Sequence, residues 1–465
     1  MLFSSPTFLV FFLVYFSLHS VVPARYRVWL IIAGSGIFYA WWKVEYLWLP
    51  FVLMGIAYGG ALWMERAPER SAKNRRAAVA ILVLFLPLLF FKYTNFLYRD
   101  VLGPLTSRRE NVLSLSLPLG VSFITFTLTG YLVDICRRKF SGQHRASSVL
   151  AYVLFFPHLI AGPILRPHEL IPQIEQPRSA PRRRWAAAIA IFTIGLVKKL
   201  VFADPLAEAV DAVYAQALGT VSGPAAALAF YGFAAQIYCD FSGYTDMAIG
   251  LALLLGVRLP NNFLRPYGAR SIVDFWRRWH ITLSSWLRDY LYVPIGGNRH
   301  GRILEARNIL ITMALGGLWH GASWTFVIWG LFHGIGVALV HFGRRLRSVS
   351  PGLPRWLGVL VTFHFVAVGW VLFRAPSVQK ACNVLASGVL GGGWSEAAAY
   401  FGRHAFVLLL IAIFLLSHPF DDHRRIRVAA RYLRPEILWP IVVSLWILAI
   451  TVSQGSSAKF IYFDF

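Results

Sequence analysis

The sequence predicts an all-α polytopic membrane protein, and three observations carry that expectation. Hydrophobic residues make up 57% of the 465 and charged residues only 14%, where a soluble domain carries roughly a quarter. The apolar residues gather in runs of the length a helix needs to cross a hydrocarbon core, about 20 residues for about 30 Å. Those runs also lack the strict apolar–polar alternation of a membrane β-barrel.

The runs lie near 5–22, 26–42, 46–63, 77–98, 112–135, 147–164 and 185–203, then 224–256 (read as two pieces), 308–319, 322–342, 356–373, 403–418 and 436–453. Basic clusters separate them, at 66–76, 137–145, 178–184, 265–307, 344–347 and 424–434. The net charge of +24 is therefore read as Lys and Arg gathered on the cytoplasmic side of membrane helices. Nucleic acid is not the expected partner, because no nucleic-acid-binding motif interrupts the runs.

The start, MLFSSPTFLVFFLVYF, has no basic region before its apolar run and no clear cleavage site, so it reads as a first membrane helix. Placing the 66–76 cluster inside puts the N-terminus outside. The run 147–164 then has basic loops on both sides, and a plain crossing would break the charge rule. Its FPHLIAGPILRPHEL is interrupted twice by Gly and Pro, and a re-entrant or partial insertion is expected, packed within protein. Asp204, Glu208 and Asp211 fall on the outer side in this scheme, and the Gly-rich 389–400 reads as an outer loop. No internal repeat or long linker appears, so the chain is taken as one domain, 1–465. Cys136, Cys239 and Cys382 are far apart and form no CxxC, which predicts neither a disulfide framework nor a thiolate metal site.

The stretch 274–334 carries the chemistry. It opens DFWRRWHITLSSWLRDYLYVPIGGNRHG and closes LGGLWHGASWTFVIWGLFHG. His280 and His320 each follow a tryptophan in apolar sequence, and ionisable side chains at membrane depth usually mark function. From Asp274 to Tyr290 the bulky residues recur every three or four positions, one helical face, with Asp274 as a plausible N-cap. Tryptophans with arginines suit a helix at the membrane interface, and Arg277, Arg278 and Arg288 could equally meet phosphates of an anionic substrate or of lipid. PIGGNRHG lacks the GK[ST] of a phosphate loop and reads as a turn.

Gly316, Gly317 and Gly321 surround His320. They shorten the apolar run before it to about a dozen residues, too few to span, so His320 is expected at a helix break beside a cavity. An imidazole there can serve as a general base between an acyl group and a hydroxyl. A metal pair with His333 is rejected: a continuous helix would set the two about 20 Å apart, and no HExxH occurs, so no metal site is expected. His333 is instead expected to close a helix contact with Gly334. In YCDFSGYTDMAIG, Asp240 and Asp246 are intramembrane carboxylates that need partners, and the arginine-rich segment is the expected one.

FWRRWHITLSSWLRDYLYVPIGGNR and GGLWHGASWTFVIWGLFHG resemble the bacterial branch of the membrane-bound O-acyltransferases, nearest to the alginate O-acetyltransferase group. The start MLFSSPTFLVFF, the middle QIYCDFSGYTDMAIG with NNFLRPY, and the end FIYFDF resemble it too, so the similarity covers essentially the whole chain. The chain ends FDF where that group ends FQF. The resemblance implies a ring of about 11–13 membrane helices and half-helices around a central tunnel, with His320 as catalytic histidine. It implies that His280 orients or polarises the reacting groups. No bound cofactor is implied; acetyl-CoA is the expected donor substrate, entering from the cytoplasm with its phosphates on the 265–307 basic loop. The acceptor is expected across the bacterial inner membrane, where a periplasmic partner protein passes the acetyl group to an exported polysaccharide or cell-wall sugar. Two rivals stand beside this: D-alanyl transfer to teichoic acids from a carrier-protein thioester, and a transporter of acyl groups or lipid-linked sugars. Transporters commonly show two related halves with matching broken helices, and this sequence shows one break and no repeat.

Overall fold

The computed structural model describes residues 1–106, 112, 116–160, 162–177, 184–346, 354–454, 458 and 460–461. Every regular element among them is a helix. Among the described residues six helices are long and apolar enough to cross a membrane, or up to seven if the bent pair Trp394–Arg403 and Ala405–Phe420 is one span. The basic cluster at 178–184, Arg347 of the 344–347 cluster and the last four residues of FIYFDF fall largely or wholly outside the described residues.

Most apolar runs become helices within a few residues of the expected bounds. Pro6–Val21, Arg27–Ala40, Trp48–Glu65, Trp324–Leu346, Arg355–Arg374 and Pro435–Ser453 are examples; the run expected at 112–135 forms a helix only from Val121 to Cys136. The run at 224–256 differs, forming one helix of 32 residues, Gly223–Leu254, rather than two. Its one proline, Pro224, stands in the first turn, where a helix tolerates it, and its buried carboxylates Asp240 and Asp246 have partners, as shown below. The run at 185–203 continues as helix through Asp204 to Ala215. Within 389–400, Trp394–Glu396 is a short 3-10 turn and a helix begins at Ala397.

By internal contacts the described residues form two compact units. The first comprises 1–192 with 248–260, the second 193–247 with 261–465. In the first, Phe3, Phe8, Phe38 and Phe156 are buried together. The run 147–164 here is two short helices, Ala146–Leu154 and Phe156–Leu159, so it does not form one spanning helix. Its broken backbone is satisfied by protein: Ser35 Oγ accepts from the Phe156 N–H at 3.1 Å, and Tyr152 donates to the Leu165 carbonyl at 2.8 Å. Buried irregular backbone needs such partners.

In the second unit, Arg302–His320 and Trp324–Leu346 form a tight helical hairpin, broken at 321–323. A Cβ on Gly317 would lie 2.1 Å from the Phe326 carbonyl oxygen, and one on Gly330 would lie 2.2 Å from that of Met313. Only glycine allows the two backbones so close. Gly334 faces Leu310 and Met313 of the same hairpin, whereas His333 packs on Gly369, whose Cβ would meet its Nε2 at 2.5 Å. The helix contact expected of His333 and Gly334 is thus two contacts, with two different helices.

Candidate active site

His280 does not sit within a helix. The segment 274–290 is broken: Ile272–Trp276 ends, Ile281–Leu287 begins after His280, and Arg288–Tyr292 is a π turn. The expected single face fails because His280 has φ 41° and ψ 56°, a left-handed conformation that stops a helix. The cap also moves: Ser271 Oγ accepts from the Asp274 N–H at 3.2 Å, and Asp274 instead receives Arg270 N–H and Arg278 Nε. A non-glycine residue held at positive φ persists only where its surroundings over-determine it, and such residues cluster at functional sites.

Those surroundings centre on Asn262, fully buried like His280. Its Oδ1 accepts from His280 Nδ1 at 3.2 Å, from Thr282 N at 3.2 Å and from Thr282 Oγ1 at 2.9 Å. Its carbonyl accepts from Ile281 N at 2.9 Å. An amide oxygen can only accept, so His280 carries its proton on Nδ1 and presents a lone pair at Nε2. Nε2 is buried and has no hydrogen-bond partner among the described residues. Residue 280 lies outside the long apolar helices, and burial pushes its imidazole down to about 3. It is neutral at physiological pH.

His320 ends the Arg302–His320 helix, and Gly321 follows with extended backbone. The expected helix break is present, but the helix is longer than the apolar run, because its first two turns mix Arg302, Glu305, Arg307 and Asn308 with apolar residues. The His320 ring is 4% exposed and stands edge-on to Trp319, Trp329 and Phe373 at 5.0, 5.2 and 5.3 Å between centroids. Trp319 also faces His280, at 6.3 Å. One indole therefore packs against both imidazoles. His333 touches the other side of Trp329, at 4.9 Å. His320 and His333 are both one ring from Trp329, much closer than a continuous helix would set them, because the chain reverses at 321–323. Among the described residues no three metal-ligating side chains converge.

Asp240 and Asp246 do not pair with the arginine-rich segment. Lys199 Nζ reaches Asp240 at 2.9 Å and Asp204 at 2.8 Å, while Lys198 Nζ reaches Asp246 at 2.7 Å and Asp421 at 2.6 Å. His423 Nε2 meets the second oxygen of Asp246 at 2.6 Å. Close helix approach makes this register: a Cβ on Gly195 would lie 2.5 Å from the Gly243 carbonyl oxygen, which brings lysines one turn on from Gly195 to carboxylates on either side of Gly243. The lysines lie in a π turn, 198–203, a distortion frequent at functional sites. Arg278 is held by Asp274 at 2.9 Å, Arg288 by Asp289 at 2.7 Å, and Arg277 is exposed. Sequence reasoning missed Lys198 and Lys199, although they stand in an apolar run like the aspartates. It also missed Asn262, for which the sequence carried no distinct signal.

The end of the chain reaches the same core. Ile461 N donates to Asp240 at 2.7 Å. Phe460 is buried and stacks on Tyr244 at 4.6 Å, with Phe241 at 6.1 Å; Phe241 in turn stands edge-on to His280 at 4.7 Å. The arrangement is a neutral imidazole lone pair, a second imidazole across an indole and an aromatic wall; an imidazole within hydrogen-bond reach of a hydroxyl can act chemically as a general base.

A profile of the membrane-bound O-acyltransferase family matches residues 63–375. The probable alginate O-acetylase AlgI of Azotobacter vinelandii is 39% identical over 427 residues, covering 90% of this chain and 83% of that protein. The peptidoglycan O-acetyltransferase of Helicobacter pylori is 37% identical, covering 84% of this chain and 80% of its own length. The teichoic acid D-alanyltransferase of Bacillus subtilis is 26% identical over 274 residues, 55% of this chain and 68% of its own.

Proposed function

The chain belongs to the membrane-bound O-acyltransferase family and is a multi-pass membrane O-acyltransferase, and from that premise we propose that it moves an acetyl group from cytoplasmic acetyl-CoA across the bacterial inner membrane. The acceptor in this proposal is an exported polysaccharide or cell-wall sugar, reached through a periplasmic partner protein, and the N-terminus lies outside. The O-acetylating relatives support the acetyl group and the sugar polymer. His320 accepts the proton of an attacking hydroxyl, and the hydroxyl oxygen bonds to the thioester carbonyl carbon. The C–S bond then breaks, and His320 returns the proton to the departing CoA sulfur. The partial negative charge at a helix C-terminus favours a cation at His320 during the transfer. His280, with its Nε2 lone pair aimed by Asn262, orients the reacting hydroxyl. The aromatic wall of Trp319, Trp329 and Phe373 excludes water that would otherwise hydrolyse the thioester. Arg277, Arg278 and Arg288 are proposed to meet the CoA phosphates from the cytoplasmic side.

The observation that carries this reading is the pair of buried imidazoles packed on Trp319. The donor is tested by reconstituting the purified chain in liposomes and supplying labelled acetyl-CoA or D-alanyl carrier-protein thioester with a soluble hydroxyl acceptor. Consumption of acetyl-CoA with transfer of label supports the proposal. Consumption of the carrier thioester alone would move the chain to the D-alanyl branch, and consumption of neither would favour a transporter.

A further inference from the structure

The second unit carries an open cavity of about 290 Å³ that the acyl-transfer chemistry does not use. Its walls include Val197, Phe202, Ile413, Phe414 and Ile426, and Lys198, Tyr238 and Asp421 form its polar end. Those polar groups satisfy one another: Lys198 bridges Asp421 and Asp246, and Tyr238 donates to Asp421. Burial would raise the Asp421 carboxyl, but the Lys198 ammonium outweighs it and holds the group below the usual carboxylate range. Ser417 and His418 also line it; Ser417 Oγ donates to the Phe414 carbonyl and His418 Nε2 accepts from Tyr267 N, while among the described residues His418 Nδ1 has no hydrogen-bond partner. The cavity therefore offers an entering molecule mainly apolar contact, with one buried imidazole nitrogen uncommitted.

Its rim faces outward through apolar side chains. Ile413 is 41% and Phe420 65% exposed, and Leu409 and Leu416 on the Ala405–Ser417 helix are exposed as well. A membrane protein presents such a surface to lipid. Beside the rim runs the helix His423–Tyr432. Its inner face is docked by His423, bound to Asp246 and Asn261, and by Ile426, which lines the cavity. Its outer face exposes Arg424, Arg425, Arg427 and Arg431. Among the described residues none of these four pairs with a carboxylate, and the adjacent Asp422 is engaged as the cap of Arg424 N and near Arg265. A basic amphipathic helix of this kind lies in the plane of an anionic membrane surface.

We propose that this cavity holds one acyl chain of an anionic phospholipid whose phosphate is taken by the arginines of the His423–Tyr432 helix. The volume lies near the lower end of small-molecule sites, roughly 300–1,000 Å³, enough for part of one chain. A pantetheine arm fits less well, because one uncommitted imidazole nitrogen, His418 Nδ1, cannot satisfy its two amides, and the remaining polar groups there already have partners. The charge of the arginines complements the phosphate, as basic side chains near an anionic membrane surface do.

The test uses the full chain in nanodiscs of phosphatidylcholine with a trace of phosphatidylglycerol or phosphatidylcholine bearing a diazirine on one acyl chain. Peptides from 194–202 or 413–426 are expected to label about tenfold more with the glycerol probe. The triple variant Arg424→Gln, Arg425→Gln and Arg427→Gln should reduce that labelling to the phosphatidylcholine level, and the triple Lys variant should keep most of it. Ile413→Trp, which fills the cavity from its exposed rim, should abolish labelling while thermal stability is retained. Equal labelling by the two probes, or labelling that survives Ile413→Trp in the folded protein, overturns the proposal. A lipid held by its headgroup alone would give that second result.

Discussion

Replacing Asn262 with leucine tests the positioning of His280 most sharply. The substitution keeps the branched heavy-atom skeleton, with somewhat more bulk, and removes the acceptor of three hydrogen bonds, from His280 Nδ1, Thr282 N and Thr282 Oγ1. Each buried donor left unpaired costs about 1–3 kcal/mol, so stability should fall by at least about 3 kcal/mol. The kinetic effect is separable. Without Oδ1 nothing fixes the proton on Nδ1, and the Nε2 lone pair is no longer aimed. Losing one such bond, worth about 1–3 kcal/mol, corresponds to roughly 5–150-fold in rate. The assay is single-turnover transfer of labelled acetyl from acetyl-CoA in inverted vesicles, with thermal unfolding of the purified variant in detergent as control. Imidazole ¹⁵N resonances report directly on which ring nitrogen carries the proton. Asn262→Asp, which keeps an acceptor, should retain the Nδ1–H form. If Asn262→Leu transferred acetyl at the wild-type rate, or if its His280 still carried the proton on Nδ1, the positioning argument would be wrong.

Further expectations follow from other contacts. Gly317→Ala and Gly330→Ala should each destabilise the protein by about 1–3 kcal/mol, as overpacking does, and lower activity by displacing His320, read as melting temperature and transfer rate together. Lys198→Met leaves Asp246 and Asp421 buried without their shared ammonium, and breaking such a pair costs about 3–5 kcal/mol; near-normal thermal stability would refute that role. His280 has a depressed pKa in the fold, so the unfolded chain binds the extra proton and stability drops as pH falls below 6.5, down to about 3. Between pH 7.5 and 5.5 this amounts to about 1.4 kcal/mol, and His280→Gln should lose that part of the acid sensitivity.

Much of this architecture was legible from runs of apolar residues, because a bilayer imposes helix length so strictly. His320 at a helix break was legible for the same reason, since three glycines shorten the run around it. Three features were not. The break at His280 depends on a left-handed backbone that three- and four-residue spacing cannot reveal, since the bulky residues on both sides keep helical rhythm. The lysine–aspartate register depends on Gly195 meeting Gly243, residues from two helices whose pairing no local pattern encodes. The closeness of His320 and His333 depends on a reversal of three residues, and counting along one continuous helix overestimates their separation. In each case local periodicity was read correctly and tertiary packing decided the geometry.

The central claim is that His320 takes the proton of the acyl acceptor. Inverted vesicles carrying wild type or His320→Asn, matched for amount and melting temperature, should be given labelled acetyl-CoA and the initial transfer rate measured. Loss of the general base predicts a fall of about 10²–10⁴-fold. Equal rates from the two proteins would contradict the account.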